Sequence, residues 1–170
     1  VARLKGDTIV GLTILVNKYD GIDLPDEACR ILVVDGLPMM RSEYDIAIQG
    51  MNPNDKQICR EQIQKIEQGM GRGVRSNNDY CVVVFMGDKL ADAIVNQHGD
   101  QFFSPATYEQ LNLSRQLWEQ LMETGKKPDV NEVFSLAKHT LERNPEWITA
   151  SKSILSAVEY TKAANVDSLV

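Results

Sequence analysis

Along the first half of the chain, apolar residues come in unbroken runs rather than in alternation with polar ones. Residues 12–16 (LTILV), 30–35 (RILVVD) and 80–86 (YCVVVFM) form three such runs. Each is short and rich in β-branched residues, which predicts strands covered on both faces. The first run is followed by Asp20-Gly21-Ile22-Asp23-Leu24-Pro25, the second by Gly36-Leu37-Pro38 and the third by Gly87. Gly and Pro interrupt regular structure, so each of these sites predicts a turn. Between the second and third runs the period becomes helical. Asn52-Pro53-Asn54-Asp55 supplies a helix start. Cys59, Ile63, Ile66 and Met70 then recur along one helix face, and Gly69, Gly71 and Gly73 predict where the helix stops. Residues 41–52 show no clear pattern, and residues 88–96 read as a short helix.

After residue 100 the strand-like runs cease. Leu111, Leu113, Leu117 and Leu121 with Trp118 make residues 105–124 an amphipathic helix. Gly125-Lys126-Lys127-Pro128 breaks it. Residues 130–143 and 145–164 predict two further helices, whose apolar faces need a partner to cover them. Strand, helix-containing connection and strand together predict a parallel α/β sheet. The change of character divides the chain into an α/β unit over 1–98 and a helical extension over 99–170. Three strands are few for a sheet with covered edges. That shortage, and a first residue that is not Met, predict a chain that starts inside a larger protein.

The charge balance narrows the partners. The chain carries 18 Lys and Arg against 24 Asp and Glu, a formal net charge of -6. That argues against a grip on nucleic acid spread over the whole surface, but leaves room for a local basic groove. Residues 1–86 hold ten Lys and Arg against twelve Asp and Glu, and residues 87–170 hold eight against twelve. Nucleic-acid contacts are therefore expected in the first half. Cys29, Cys59 and Cys81 are scattered without a CxxC pair, so reduced, partly buried thiols are expected rather than a metal site. The chain shows neither a signal peptide nor an apolar run near membrane-spanning length, which predicts a cytoplasmic protein.

The residues richest in chemistry are Gln68-Gly69-Met70-Gly71-Arg72-Gly73-Val74-Arg75. Phosphoryl transfer depends on positioning and on charge stabilisation, and a planar guanidinium suits the developing charge on a γ-phosphate. Arg72 and Arg75, three residues apart, can face one phosphate cleft. Gln68 can orient the phosphate or the attacking water, and glycines such as Gly71 permit a tight loop. A glycine-rich surface loop with two solvated arginines is the equal alternative for this segment alone. A second segment, Asn17-Lys18-Tyr19-Asp20-Gly21-Ile22-Asp23-Leu24-Pro25, follows the first strand. Ligands of open α/β sheets bind beyond strand carboxyl ends. Gly21 frees backbone N–H groups there, and Asp23 can accept from a ribose hydroxyl or an arginine. A plain Asp/Gly/Pro turn is the alternative.

The order Y-D-G-I-D-L-P, strand, D-G-L-P, Q-x-x-G-R-x-x-R, D-Y-C-V-V-V-F is more specific than any of its parts. It resembles motifs V and VI in the second RecA-like lobe of superfamily-two helicases, closest to the DinG/XPD-like branch. The segment Phe103-Ser104-Pro105-Ala106-Thr107 before an amphipathic helix also looks like the region after the core in DEAD/DEAH-type helicases. The resemblance implies a partial RecA-like parallel sheet flanked by helices and followed by an α-helical C-terminal region. It implies that Arg72 and Arg75 act as arginine fingers and that Gln68 faces the γ-phosphate. Gly21, Asp23 and Gly71 would line the nucleotide edge, with Asn17, Lys18 and Tyr19 near the nucleic-acid track. The sequence contains no GxxxxGK[ST] loop and no acidic Mg²⁺ box. ATP and Mg²⁺ are thus expected to be held mainly by a P-loop lobe of the same protein or complex, with DNA rather than RNA as the polymer. The chain alone is expected to be inactive as an ATP hydrolase.

The rival is a non-enzymatic module that docks another protein through its RecA-like lobe and acidic helical tail. A different nucleotide-binding α/β protein fits less well, because no Gly-rich loop follows a strand and opens a helix. His98 and His139 lie far apart without metal-site spacing, and Trp118 and Trp147 fall on helices where packing explains them.

Overall fold

The computed structural model describes residues 12–19, 24, 28–39, 46–47, 50, 55–71, 80–123, 125 and 129–158. Two five-residue strands, β1 (Ile31–Asp35) and β2 (Val82–Met86), lie parallel, with Ile31 opposite Val82 and Asp35 opposite Met86. Backbone bonds continue the ladder at both ends. Val82 N–H donates to the Arg30 carbonyl and Gly36 N–H to the Met86 carbonyl, each at 2.9 Å. Parallel strands need a long crossover, and helix α1 (Lys56–Met70) provides it. Both strands end on glycines of positive φ, Gly36 at 73° and Gly87 at 93°. A Cβ on Gly87 would also lie 3.2 Å from the Gly36 nitrogen, so the two strand ends meet at a place where only glycine fits comfortably.

Helix α1 begins where its cap predicts. The Asp55 carboxylate accepts from Gln57 N–H at 2.8 Å and from Ile58 N–H at 3.4 Å. Its inward face holds Ile58, Cys59, Ile63 and Ile66, with Met70 packed against the same core. Ile63 and Ile66 are fully covered, and each contributes about 1.5–3 kcal/mol by leaving water. Gln62 is also buried on this face, with its Nε2 donating to the Pro38 carbonyl at 3.2 Å. That bond satisfies a polar group the apolar spacing did not reveal.

Helix α2 (Asp88–Val95) adds Leu90, Ala93 and Ile94 to the core. A 3-10 turn, Gly99–Phe102, then folds under α1. Gly99 is required there, because a Cβ would come 2.5 Å from the Ala93 carbonyl oxygen. Phe103 closes the core by stacking on Phe85, with centroids 6.0 Å apart and planes 9° apart.

Three helices follow, α3 (Pro105–Glu123), α4 (Val130–Leu141) and α5 (Pro145–Ser156). None of them has a fully buried residue. Helix α4 lies against β2, and α5 packs on both α3 and α4, around an apolar cavity of about 420 Å³ lined by Val82, Val84, Trp118, Leu136 and Trp147 among others. The architecture is the expected partial RecA-like α/β sheet flanked by helices, with a helical C-terminal region.

Two expectations fail, the first being cover on both faces of β1, where Ile31 and Val33 are 45% and 49% exposed. Second, residues 12–16 form no strand, and Leu12, Ile14 and Val16 are 93%, 79% and 71% exposed. An apolar run becomes a buried strand only beside a sheet edge and beneath covering layers. The two-stranded sheet of the described residues does not bring these to LTILV.

Candidate functional site

The carboxyl end of α1 leads into the glycine–arginine segment. Gln68 lies exposed on the last turn. The helix runs through Gly69 to Met70 and closes with Gly71 N–H donating to the Glu67 carbonyl at 3.0 Å. Gly71 has φ -62°, an ordinary right-handed conformation, so it does not need to be glycine for its own backbone. Gly69 is the constrained one, since a Cβ there would meet Cδ1 of Tyr19 at 3.0 Å. The absence of a side chain at Gly69 lets the Tyr19 ring lie directly on the helix.

That contact joins the two segments singled out from the sequence. Tyr19 is packed against the core cluster, and burial raises its phenol pKa. Its neighbour Lys18 is exposed, and Asn17 takes a left-handed φ of 51°. Asn tolerates that conformation better than most residues, and it turns the chain at the end of LTILV. Arg72, Arg75, Gly21 and Asp23 lie outside the described residues. Gln68, Gly71, Asn17, Lys18 and Tyr19 are described, and of these the Tyr19 side chain reaches the Gln68–Gly71 turn.

Whether a triphosphate suits this end of α1 is a question of charge. The carboxyl end of a helix carries partial negative charge, which opposes a phosphate. Gln68 offers two amide donors but no charge to offset that field. A phosphate here therefore needs cations supplied from just beyond the helix, where the sequence has Arg72 and Arg75.

Sequence reasoning missed Glu67. Its carboxylate accepts from Ser104 Oγ at 2.6 Å, Thr107 Oγ1 at 2.5 Å and Ser104 N–H at 3.0 Å. Ser104 caps α3, with its Oγ accepting from Thr107 N–H at 3.4 Å. Glu67 thus places a negative charge at the amino end of α3, where the helix field favours it. Ser before Pro at a helix start is a local cap signal that the sequence reading did not use, and nothing in residues 104–107 points to the acid that binds it. A second missed feature is at the other end of the sheet, where Cys29 and Cys81 bring their sulfurs to 3.9 Å. Among the described residues, no group of three or more His, Cys, Asp or Glu converges to hold a metal ion. No helix among them is long and apolar enough to cross a membrane.

A parallel two-stranded sheet with its crossover helix, both strands ending at glycine turns, is an α/β unit consistent with part of a RecA-like domain. Within that class, residues 5–107 match the family model of the helicase C-terminal domain, and the chain belongs to this family. The matched stretch includes both motif segments, both strands and the Glu67–Ser104 contact. No curated protein and no solved structure matches the chain.

Proposed function

We propose that this chain is the nucleotide-closing lobe of an ATP-dependent helicase or translocase, of the DinG/XPD-like or DEAD/DEAH-type branches of superfamily two. A P-loop lobe of the same protein or complex completes it. The observation that carries this reading is the contact of Tyr19 with Gly69. The chain leading into Y-D-G-I-D-L-P rests on the helix that leads into the glycine–arginine segment. Two distant stretches that the resemblance assigns to one cleft therefore share a packing contact.

In this reading Arg72 and Arg75 extend from the end of α1 across the lobe interface. Their guanidinium groups offset the unfavourable helix field and stabilise charge as the terminal phosphate departs. Gln68 hydrogen-bonds the γ-phosphate side of the cleft, while Gly21, Asp23 and Gly71 line its edge. ATP and Mg²⁺ are bound mainly by the P-loop lobe. Lys18 contacts the nucleic-acid backbone, DNA rather than RNA, flanked by Asn17. Tyr19 ties this track to the nucleotide edge by packing on Gly69. The lobe occupies residues 1–98 and the helical extension 99–170, in a cytoplasmic protein. Closure of the lobes limits turnover.

The test is an ATPase assay of the full protein, or of this chain with its P-loop partner, with Arg72→Ala. The expected result is a kcat lower by about 10² or more with nucleotide still bound. Near-normal turnover would overturn the finger assignment. The chain alone is expected to show no ATP hydrolysis.

A further inference from the structure

Cys29 and Cys81 stand just before β1 and β2, 52 positions apart in sequence. The parallel register that sets Ile31 opposite Val82 brings them together, with Sγ to Sγ at 3.9 Å. Both are partly buried, whereas Cys59 is buried in the core beside Gly99. We propose that Cys29 and Cys81 are a thiol pair that closes reversibly into a disulfide by exchange with a small anionic disulfide of the glutathione-disulfide class.

The geometry favours closure. A disulfide needs its sulfurs at about 2.05 Å, so the pair must approach by roughly 2 Å. Both residues precede their strands, so side-chain rotation can supply that approach by releasing the weak thiol bonds to the Ile31 and Val82 carbonyls, at 3.6 and 3.5 Å. The surroundings suit an anionic reagent. The guanidinium of Arg30, the residue after Cys29, lies 3.9 Å from the ring centroid of Tyr80, the residue before Cys81. Arg143 lies 4.7 Å from the same centroid. Two positive charges therefore gather on the ring of the residue that precedes Cys81.

The exchange balances without a further reagent. One cysteine thiolate attacks a sulfur of the oxidant, whose S–S bond breaks and releases one small thiol. The second cysteine thiolate then attacks the mixed disulfide at the protein sulfur. The protein S–S bond forms and the second small thiol leaves. Two cysteines are oxidised, one disulfide is reduced to two thiols, and the two cysteine protons end on the released thiols. The product staples the amino ends of β1 and β2. The loop it closes contains all of α1 and the segment Gln68–Arg75. The inference goes beyond the helicase reading and needs no nucleotide for its test.

The intact folded chain would be incubated with glutathione disulfide and analysed by intact mass and by non-reducing peptide mapping. The expected product is a monomer lighter by about 2 Da, with Cys29 linked to Cys81, restored by a dithiol reductant. The stapled form should unfold at higher temperature than the reduced form. Cys59→Ser should retain the mass loss, and Cys29→Ser and Cys81→Ser should each abolish it. The same oxidation in denaturant should scramble the link among all pairings of the cysteines. Because wild-type mapping alone locates the link, the test does not depend on the variants folding. Stable mixed glutathione adducts without ring closure, or native links dominated by Cys59, would overturn the proposal.

Discussion

Ser104 gives both its backbone N–H and its hydroxyl to one carboxylate, that of Glu67, at 3.0 and 2.6 Å. Thr107 adds a third donor to the same group. Glu67 sits beside Gln68 near the end of α1, and Ser104 opens α3. One acidic side chain therefore fastens the C-terminal helices to the helix that ends in the glycine–arginine segment. Removing it strands three donors that are only partly exposed to water. Glu67→Ala should lower stability by about 1–3 kcal/mol, as expected for bonds to a charged acceptor. Ser104→Ala should cost less, because the backbone N–H and Thr107 still bind. Denaturant titration of the two variants gives the comparison. Equal losses would mean that the cap of α3, rather than the carboxylate, dominates.

Gly69 and Tyr19 make the second prediction. A methyl group at Gly69 would lie 3.0 Å from the ring, at a side-chain atom able to shift by a few tenths of an ångström. Gly69→Ala also gains about 1 kcal/mol of helix propensity, so the two effects should nearly cancel in stability. Gly69→Leu gains nearly the same propensity, but its longer side chain must push Tyr19 aside at about 1–3 kcal/mol, so it should lose stability overall. In the full helicase, nucleic-acid stimulation of ATP turnover should fall with Gly69→Leu more than with Gly69→Ala. Unchanged stimulation in Gly69→Leu would separate this contact from any role in coupling.

These relationships show what the sequence could and could not reveal. The face Cys59, Ile63, Ile66 and the runs RILVVD and VVVFM were legible because helix and strand periods are local. The turns at Gly36 and Gly87 were legible because few residues other than glycine serve there. LTILV was misread because its composition describes a strand but says nothing of the neighbour that must pair with it. Glu67 and the Cys29–Cys81 pair escaped notice because their partners are distant in sequence and only the crossover joins them. Gln62 escaped because a buried amide looks like a surface one until the Pro38 carbonyl is placed against it.

Glycines that look alike in sequence should behave differently. A Cβ on Gly99 would sit 2.5 Å from the Ala93 carbonyl oxygen and 3.1 Å from the Cys59 sulfur. Backbone must move, so Gly99→Ala should cost about 1–3 kcal/mol or more. At Gly71 a Cβ meets nothing closer than the Glu67 carbonyl oxygen at 3.6 Å, and φ is already right-handed. Gly71→Ala should be neutral or stabilising by about 0.4–1 kcal/mol. Thermal unfolding of the pair checks this. If Gly71→Ala keeps its stability but loses ATP turnover in the full protein, Gly71 is needed for the cleft rather than for the fold.

The start of α4 should respond to acid. The Asp129 carboxylate accepts from Glu132 N–H at 3.2 Å and from Asn131 N–H at 2.8 Å, while Glu132 returns a bond to Asp129 N–H at 2.8 Å. The backbone bond from Glu132, followed by the side-chain bond from Asn131, holds the Asp129 pKa below its ordinary value. In the unfolded chain these donors are gone, and the group titrates near its usual value of about 3.9. The ionised form is therefore the one that favours folding. Its contribution is complete above the unfolded pKa and disappears as pH falls through the lower folded value. Amide-exchange protection at Asn131 and Glu132 should accordingly weaken as pH falls below about 4. Asp129→Asn keeps a capping oxygen without a titrating proton, so its protection at these amides should stay level over the same range. A parallel decline in both proteins would assign the acid response to another group.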